Sequence, residues 1–570
     1  KYVSFGTYTT KLTVQTNDGC NNSLQQKIFI LPYSTVTPLA TSAYLENFEA
    51  TNGGWIEEAK NPSDTSWIWG VPNGQVINTA SSGTKAWWTG LNSNTYFSNE
   101  KSVVNGPCFN LTQLSRPMVS LDYWVDVEKN LDGAVLQYST DGGLTWNIVG
   151  STDPLKQDQG INWYTGIGIP SNPGNQTSGG NYGWTDRSAK WLTGRFNLDM
   201  VPVAQRSQVR LRVAFASNDT NVAGQTFDGF AFDNFFVGDK TRNVLVEHFT
   251  NSTDNGSLIA NAAISTLYQD QVTTIPGRKS DFYDIQYHVS YPNADQLNLD
   301  NEADPAARAN YMGVSQPPAT IMDGKIDGVK FKGSFTDINR IELDRRALVD
   351  PQFELTLDTI PTGINNTMSI SLVVRANKSF NSPLIAQVAL VENNVGAFKN
   401  VLRKQLLGAD GEAINLSWAV NQSRTVTRNS IEINVPIVNS SQLILIAYVQ
   451  DKNTKEIYQS LVMAGPNKKG AVIVGIEEPL VPTTLNGIKI FPNPANGSFN
   501  FGLSDYSAPG YTWKVADQRG VVLLKGDFEE ALDNRKQVDV SNLANGVYFV
   551  IISGPGGSVV YQKLVVMNRN

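Results

Sequence analysis

Apolar and polar residues alternate along most of this chain at the two-residue period of strands half-buried in sheets. Near its start, Tyr8, Leu12 and Val14, then Ile28 and Ile30, flank the turn Asn17-Asp18-Gly19, a pattern that predicts a hairpin. A Pro- and Thr-rich linker over 32–39 follows. Between residues 44 and 238, alternating runs such as 119–127 (VSLDYWVDV) and 208–217 (QVRLRVAFAS) are broken by turns like Asp141-Gly142-Gly143. They predict a jelly roll of about ten strands. The period then changes. Residues 244–250 (VLVEHFT), 258–271 (LIANAAISTLYQDQ), 284–291 (DIQYHVSY), 305–314 (PAARANYMGV) and 319–324 (ATIMDG) predict strand, helix, strand, helix, strand. Five alternating runs between 350 and 463 predict a sandwich, 464–485 a linker, and the remainder about seven short strands.

Composition agrees with a mostly β chain, and together with these patterns the expectation is a multidomain protein of jelly-roll and immunoglobulin-like β-sandwiches with one thioredoxin-like α/β module. The 570 residues suffice for several domains, and only 17% are charged while 10% are aromatic. A net charge of -7 offers no clustered cations for phosphate, which argues against nucleic acid. No run of about 18 apolar residues exists, so no transmembrane helix is expected. Cys20 and Cys108 fall in different expected domains, and no disulfide is expected between them. The N-terminal residues carry no apolar leader, which leads to the expectation of a chain that starts partway through a longer precursor.

Four stretches resemble known families. The string FGTYTTKLTVQTNDGC resembles the closing strands of a PKD-type domain and assigns residues 1–31 to the C-terminal part of one. ENFEA, QYSTDGGLTW and DGFAFDNF make 40–240 similar to MAM-like and cleaved-adhesin jelly rolls. VEHFTNST, YHVSYPNAD and DPAARANYMGVSQPPATIMDG resemble the Omp28-related family, which implies a thioredoxin-like module over 242–345 and a β-sandwich over 346–463. Residues 486–570 carry, in order, Pro492-Asn493-Pro494, a hairpin turn with Asp517 and Gly520, the Asn545-Gly546 turn leading into Tyr548, and a terminal strand with Lys563. This ordered set resembles the type A C-terminal sorting domain of the Bacteroidetes type IX secretion system.

That last resemblance implies export to the cell surface through a periplasmic intermediate. Its implied partners are a PorV-type outer-membrane shuttle, the translocon, a sortase-like protease, and lipopolysaccharide as the attachment point. The passenger then reads as adhesive, with a role in gliding motility or binding to surface glycans. The alternative is an accessory region trailing a secreted hydrolase, peptidase or glycosidase.

Candidate chemistry is sparse. Where the thioredoxin-like family places Cys-x-x-Cys, this chain has Asp254-Asn255-Gly256-Ser257, so no redox cofactor or thiol chemistry is expected. Pro318 matches the loop proline of that fold. The only histidines, His248 and His288, sit in strand-like runs and read as core or strand-edge residues. No nucleophile elbow, zinc helix or P-loop occurs, and no catalytic residue is assigned. A structural Ca²⁺ joining the first and last jelly-roll strands is implied by the adhesin resemblance, with Glu49 and Asp233 as ligands and Asp228, Asp126 and Glu128 as weaker candidates. Trp67, Trp69, Trp87, Trp88, Trp163 and Trp184 offer either a sugar platform or a sandwich core.

Overall fold

The computed structural model describes the chain apart from residues 1–4, 33, 59–64, 92–94, 151–159, 178, 220–224, 274–279, 327–329, 332, 362–366, 415–416, 465–488, 503–511, 518–521, 528–534, 554–558 and 569–570. Strand accounts for 46% of it and helix for 10%, so the protein is mostly β. It divides into two compact units, 1–476 and 477–570.

In the first unit, the strands Gly6–Gln15 and Asn21–Ile30 pair in an antiparallel hairpin. Two six-stranded sheets follow and face each other. One runs Asn147–Ile148, Gly133–Ser139, Val209–Ala216, Lys101–Phe109, Thr35–Val36, with Ile56–Glu57 added to Lys101–Phe109. The other runs Leu192–Asn197, Pro117–Asp126, Gly229–Asp239, Ala86–Thr89, Trp67–Gly70, with Tyr44–Glu46 beside Gly229–Asp239. Alternate residues from each sheet meet in an aromatic core that includes Phe48, Trp55, Trp67, Trp87, Trp184, Phe230 and Phe232. Cys20 is exposed and Cys108 buried, both as free thiols.

Val244–Thr250 then lies parallel to Phe282–His288 and antiparallel to Ala319–Met322, with helices Asn255–Thr273 and Ala303–Met312 in the connections. The sheet runs on past the division expected at 345/346. Gln286 pairs with Val401, and the ladder continues through Val401–Gln405, Leu384–Glu392, Leu443–Asp451 and Ile457–Ala464 to make one eight-stranded sheet. The reason is legible in Leu384–Glu392, which is buried at every position. Val388 and Leu390 face the three-stranded sheet of Phe353–Pro361, Thr367–Ala376 and Ser423–Glu432, whereas Ala389 and Val391 face Tyr287 and Met312.

A buried ionic cluster fastens the jelly roll to this α/β body. Asp281 accepts from Arg116 Nε at 2.7 Å and from Lys240 Nζ at 2.5 Å, with all three side chains at most 1% exposed. Asp323 receives Arg242 at 3.2 Å and Arg346 at 2.7 Å. Charges this deep persist only when paired and hydrogen-bonded.

The second unit carries seven strands: β1 (Lys489–Asn496), β2 (Ser498–Gly502), β3 (Thr512–Ala516), β4 (Val522–Asp527), β5 (Arg535–Asp539), β6 (Gly546–Ser553) and β7 (Val559–Val566). Their order is β4-β3-β6-β7-β1-β2-β5. Ala495, Phe499, Trp513, Val515, Val538, Tyr548, Val550, Ile552 and Leu564 fill the core.

Candidate functional site

The second unit is organised by what two prolines remove. β1 pairs with β2 at Lys489, Ile490 and Phe491, loses that register, and regains it only at Asn496. Pro492 and Pro494 have no N–H to donate, so the ladder cannot run through them. Asn493 between them compensates with its side chain, whose Oδ1 accepts the N–H of Val565 at 2.8 Å. One residue beyond Pro494, Ala495 pairs in parallel with Val566, and its carbonyl accepts the N–H of Met567 at 2.8 Å. β1 thereby passes from one sheet partner to the other within five residues, 491–495, and brings the first strand of the unit against the last.

Asn568 completes that closure. Its Nδ2 lies 2.9 Å from Val540 O, 3.1 Å from Ser541 O and 2.9 Å from Leu543 O, three acceptors for two hydrogens. Its Oδ1 accepts from Gly497 N at 2.8 Å, where a φ of +78° favours glycine. Its backbone N–H donates to Asn545 Oδ1 at 2.6 Å, and Asn545 Nδ2 returns a bond to Asn568 O at 3.3 Å. The motif residues sit around this knot. Gly546 opens β6 opposite Val566, and Tyr548, nearly buried, donates its hydroxyl to Ala544 O at 2.8 Å. Lys563 pairs with Phe549 across β6 and β7. Asp517 follows β3, and Gly520 lies outside the described residues. Sequence reasoning missed Asn568; its only signal was an amide side chain just after the terminal apolar run.

Residues 489–567 match the family model described as "Secretion system C-terminal sorting domain". This protein carries a type IX sorting domain. Such a domain marks the chain for export to the cell surface or beyond. Among curated proteins, 116 residues are 29% identical to Bacillopeptidase F of Bacillus subtilis (strain 168), covering 20% of this chain and 8% of that protein. Among solved structures, HBP35 of Porphyromonas gingivalis is similar at 14% identity and a TM-score of 0.32, covering 57% of this chain and 99% of that one. The K1 cleaved adhesin domain of Lys-gingipain from Porphyromonas gingivalis W83 is similar at 13% identity and a TM-score of 0.19, covering 35% and 98%. A domain of the outer membrane lipoprotein Omp28 from Porphyromonas gingivalis follows at 15% identity and a TM-score of 0.16, covering 20% and 90%.

In the passenger, Glu49 and Asp233 hold the same loop. Glu49 Oε1 accepts from Thr84 N at 2.8 Å and Lys85 N at 2.7 Å, which holds its carboxyl below the usual range. Asp233 Oδ2 accepts from Ser81 N at 3.1 Å and Ser82 N at 2.9 Å, and Oδ1 from Asn234 N at 2.7 Å. Burial nevertheless raises Asp233 to about 6. Carboxylates surrounded by N–H donors, with the Lys85 ammonium bonded to Glu49 O, suit anchoring a loop and do not fit a cation. Asp228 accepts from Val76 and Ile77 amides, and Asp126 pairs with Arg187 at 2.9 Å.

The tryptophans offer no platform. Trp67, Trp87, Trp88, Trp163 and Trp184 are at most 5% exposed, and half-buried Trp69 donates Nε1 to Phe48 O at 2.8 Å. Trp87 and Trp88 do point to opposite faces, but the outer one is covered by Ile77 and flanked by Trp124 and Trp191. At the start of helix Asn255–Thr273, Asp254 caps Ser257 N at 2.7 Å, and Pro318 packs beside Gly256. His248 bonds Thr320 and Asn261, both at 2.8 Å, and burial lowers its pKa to about 4. His288 Nδ1 meets Asp295 Oδ2 at 2.8 Å.

Proposed function

We propose that the sorting domain is recognised as a folded unit by a PorV-type outer-membrane shuttle, passed to the type IX translocon, and then removed by a sortase-like protease that attaches the passenger to lipopolysaccharide. The carrying observation is the closure of β7 onto β1 through Asn493, Ala495 and Asn568, which presents the terminal strand as a rigid element rather than a loose tail. Beside it, Phe549 is 37% exposed and Met567 56% exposed, apolar surface suited to contact with a partner. Deleting 488–570 tests this. The truncated passenger is expected to remain folded in the periplasm, and its arrival at the surface at the normal level would refute the assignment.

The passenger acts, in this reading, as a non-catalytic adhesive module, with gliding motility as one setting for it. Its support is the row of β-domains and the Asp254–Ser257 segment, which supplies no thiol for redox work. A second reading, the accessory region of a secreted hydrolase, draws on the partial likeness to Bacillopeptidase F, whose remaining 92% the likeness does not touch. Adhesion assays with the full chain, set beside the sequence of its precursor, distinguish the two.

A further inference from the structure

Helix Asn255–Thr273 and the two strands it connects enclose a layer that is polar where such layers are usually apolar. Val244–Thr250 and Phe282–His288 run parallel, with Val246 beside Asp284, His248 beside Gln286 and Thr250 beside His288, so alternation sets all six side chains on one face. That face is the helix side. Val246 and Phe282 pack with Ile264, and His248 Nε2 and Thr250 Oγ1 reach Asn261 Oδ1 at 2.8 and 2.9 Å. The other face, with Tyr283, Ile285 and Tyr287, meets Ala309 and Met312 instead.

The hydrogen bonds of this layer do not close among its own residues. Burial keeps His248 neutral at pH 7, and with Thr320 Oγ1 donating to its Nδ1 at 2.8 Å, its Nε2–H is left to donate to Asn261. Asn261 Oδ1 thus takes two donors, and the buried Nδ2 keeps its hydrogens without a protein acceptor. On the neighbouring strand, Gln286 Oε1 and His288 Nε2 are unpartnered in residues 2% and 1% exposed. Asp295 accepts from Ser252 N at 2.7 Å and Leu297 N at 2.9 Å and so meets His288 Nδ1 as a carboxylate. In the neutral ring this puts the proton on Nδ1 and a lone pair on Nε2. Asp284 Oδ2 is unpaired as well, but it stands level with Val246, where Ile264 makes the layer apolar. One turn before Asn261, fully buried Ser257 adds an unpaired hydroxyl, and Ser257 and Ala260 are small where Ile264 and Leu267 fill the layer farther along.

This donor and acceptor set selects its ligand, since buried polar groups are normally paired. A cation would face the hydrogens of Asn261 Nδ2, and an anion the lone pairs of Gln286 and His288. Water can accept from the first and donate to the other two, the roughly three bonds that a buried water makes. We propose that one internal water molecule sits between helix and sheet, accepting from Asn261 Nδ2 and donating to Gln286 Oε1 and His288 Nε2, with the Ser257 hydroxyl beside it. The site belongs to the α/β body and is independent of the export and adhesive readings.

A high-resolution crystal structure of the full chain tests it. A density peak is expected about 2.7–3.2 Å from all three atoms. A direct bond between Asn261 and Gln286, an apolar contact closing the gap, or a peak at the metal distance of about 2.0–2.1 Å from His288 Nε2 would overturn the assignment. Because the chain has only two histidines, nitrogen-15 histidine labelling gives a second readout in solution. At pH 7 His288 should carry its proton on Nδ1 and show Nε2 as a hydrogen-bonded acceptor; a proton on Nε2 would remove one of the three bonds and overturn it equally. Gln286→Leu should lose the peak while the bond between His248 and Asn261 stays, and a peak unmoved in that variant would count against the bridge. Should that variant fail to fold, the parent crystal and the labelled histidine still decide.

Discussion

Asn568 Oδ1 accepts the N–H of Gly497 at 2.8 Å, across 71 residues, while the same amide's Nδ2 reaches the carbonyls that end the 540–543 turn. One side chain thus holds the first hairpin, the turn before β6 and the last strand of the sorting domain in a single register.

Asn568→Ala should lower the stability of the sorting domain by about 2–4 kcal/mol, since several bonds are lost and half-buried acceptors remain. Asn568→Asp should cost more, because it turns a carboxylate towards three carbonyls. Hydrogen exchange at the Gly497 and Met567 amides would report the loosening, and surface yield its effect on export. Unchanged protection in both variants would remove Asn568 from this role.

At the junction, Asp281→Ala leaves Arg116 and Lys240 buried without their main partner. A cost of about 3–5 kcal/mol is expected. Calorimetry should then resolve separate melting of the jelly roll and the α/β body, where the parent chain melts them together.

Asp284 is buried, and desolvation lifts its carboxyl to about 6, opposed by a bond from Asn400 Nδ2. Between the ordinary carboxylate value and that pH, the folded chain keeps a proton that the unfolded chain has released. This group's favourable contribution is therefore complete at low pH and lost as pH rises through about 6, amounting to roughly 3 kcal/mol at most. Asp284→Asn should flatten that slope in denaturant titrations at pH 4 to 7 and stabilise the chain at neutral pH. A steeper slope would contradict it.

Asp233→Ala should destabilise the jelly roll by about 2–4 kcal/mol by freeing the 81–82 amides. The melting temperature of the parent should be the same in calcium and in chelator. A calcium-dependent rise that disappears in Asp233→Asn would restore the metal to this site.

How much of this could be read beforehand depended on range. The 6–30 hairpin is local, and its turn residues announce it. The Pro-Asn-Pro segment was legible as a rigid entry, but the acceptor role of Asn493 depends on Val565, 72 residues away. Trp88 alternates outward and still ends buried, because the loop at Ile77 folds over it, and alternation alone says nothing about what covers a face. The run of the sheet past 345 was not legible for a related reason. A polar strand such as Phe282–His288, buried throughout, signals neither its neighbour nor the sheet's extent. Glu49 and Asp233 were read as calcium ligands from the sequence, whereas the backbone amides they hold carry no sequence signature.

The ends of the α/β body touch each other. Ile457–Ala464, the strand from which the chain departs towards the sorting domain, is bonded to the segment by which it arrives: Gln459 accepts from Asn243 N at 3.1 Å and donates to Thr241 O at 2.9 Å, and Ser460 donates to Asn243 O at 3.0 Å. Arg242 and Arg346 add bonds to Ile457 O. Under the proposed attachment at the C-terminal side, this would be a load path. Tension entering at residue 464 would then cross directly to 243 and on to the jelly roll, and the roughly two hundred residues folded between those points would be bypassed instead of being pulled apart.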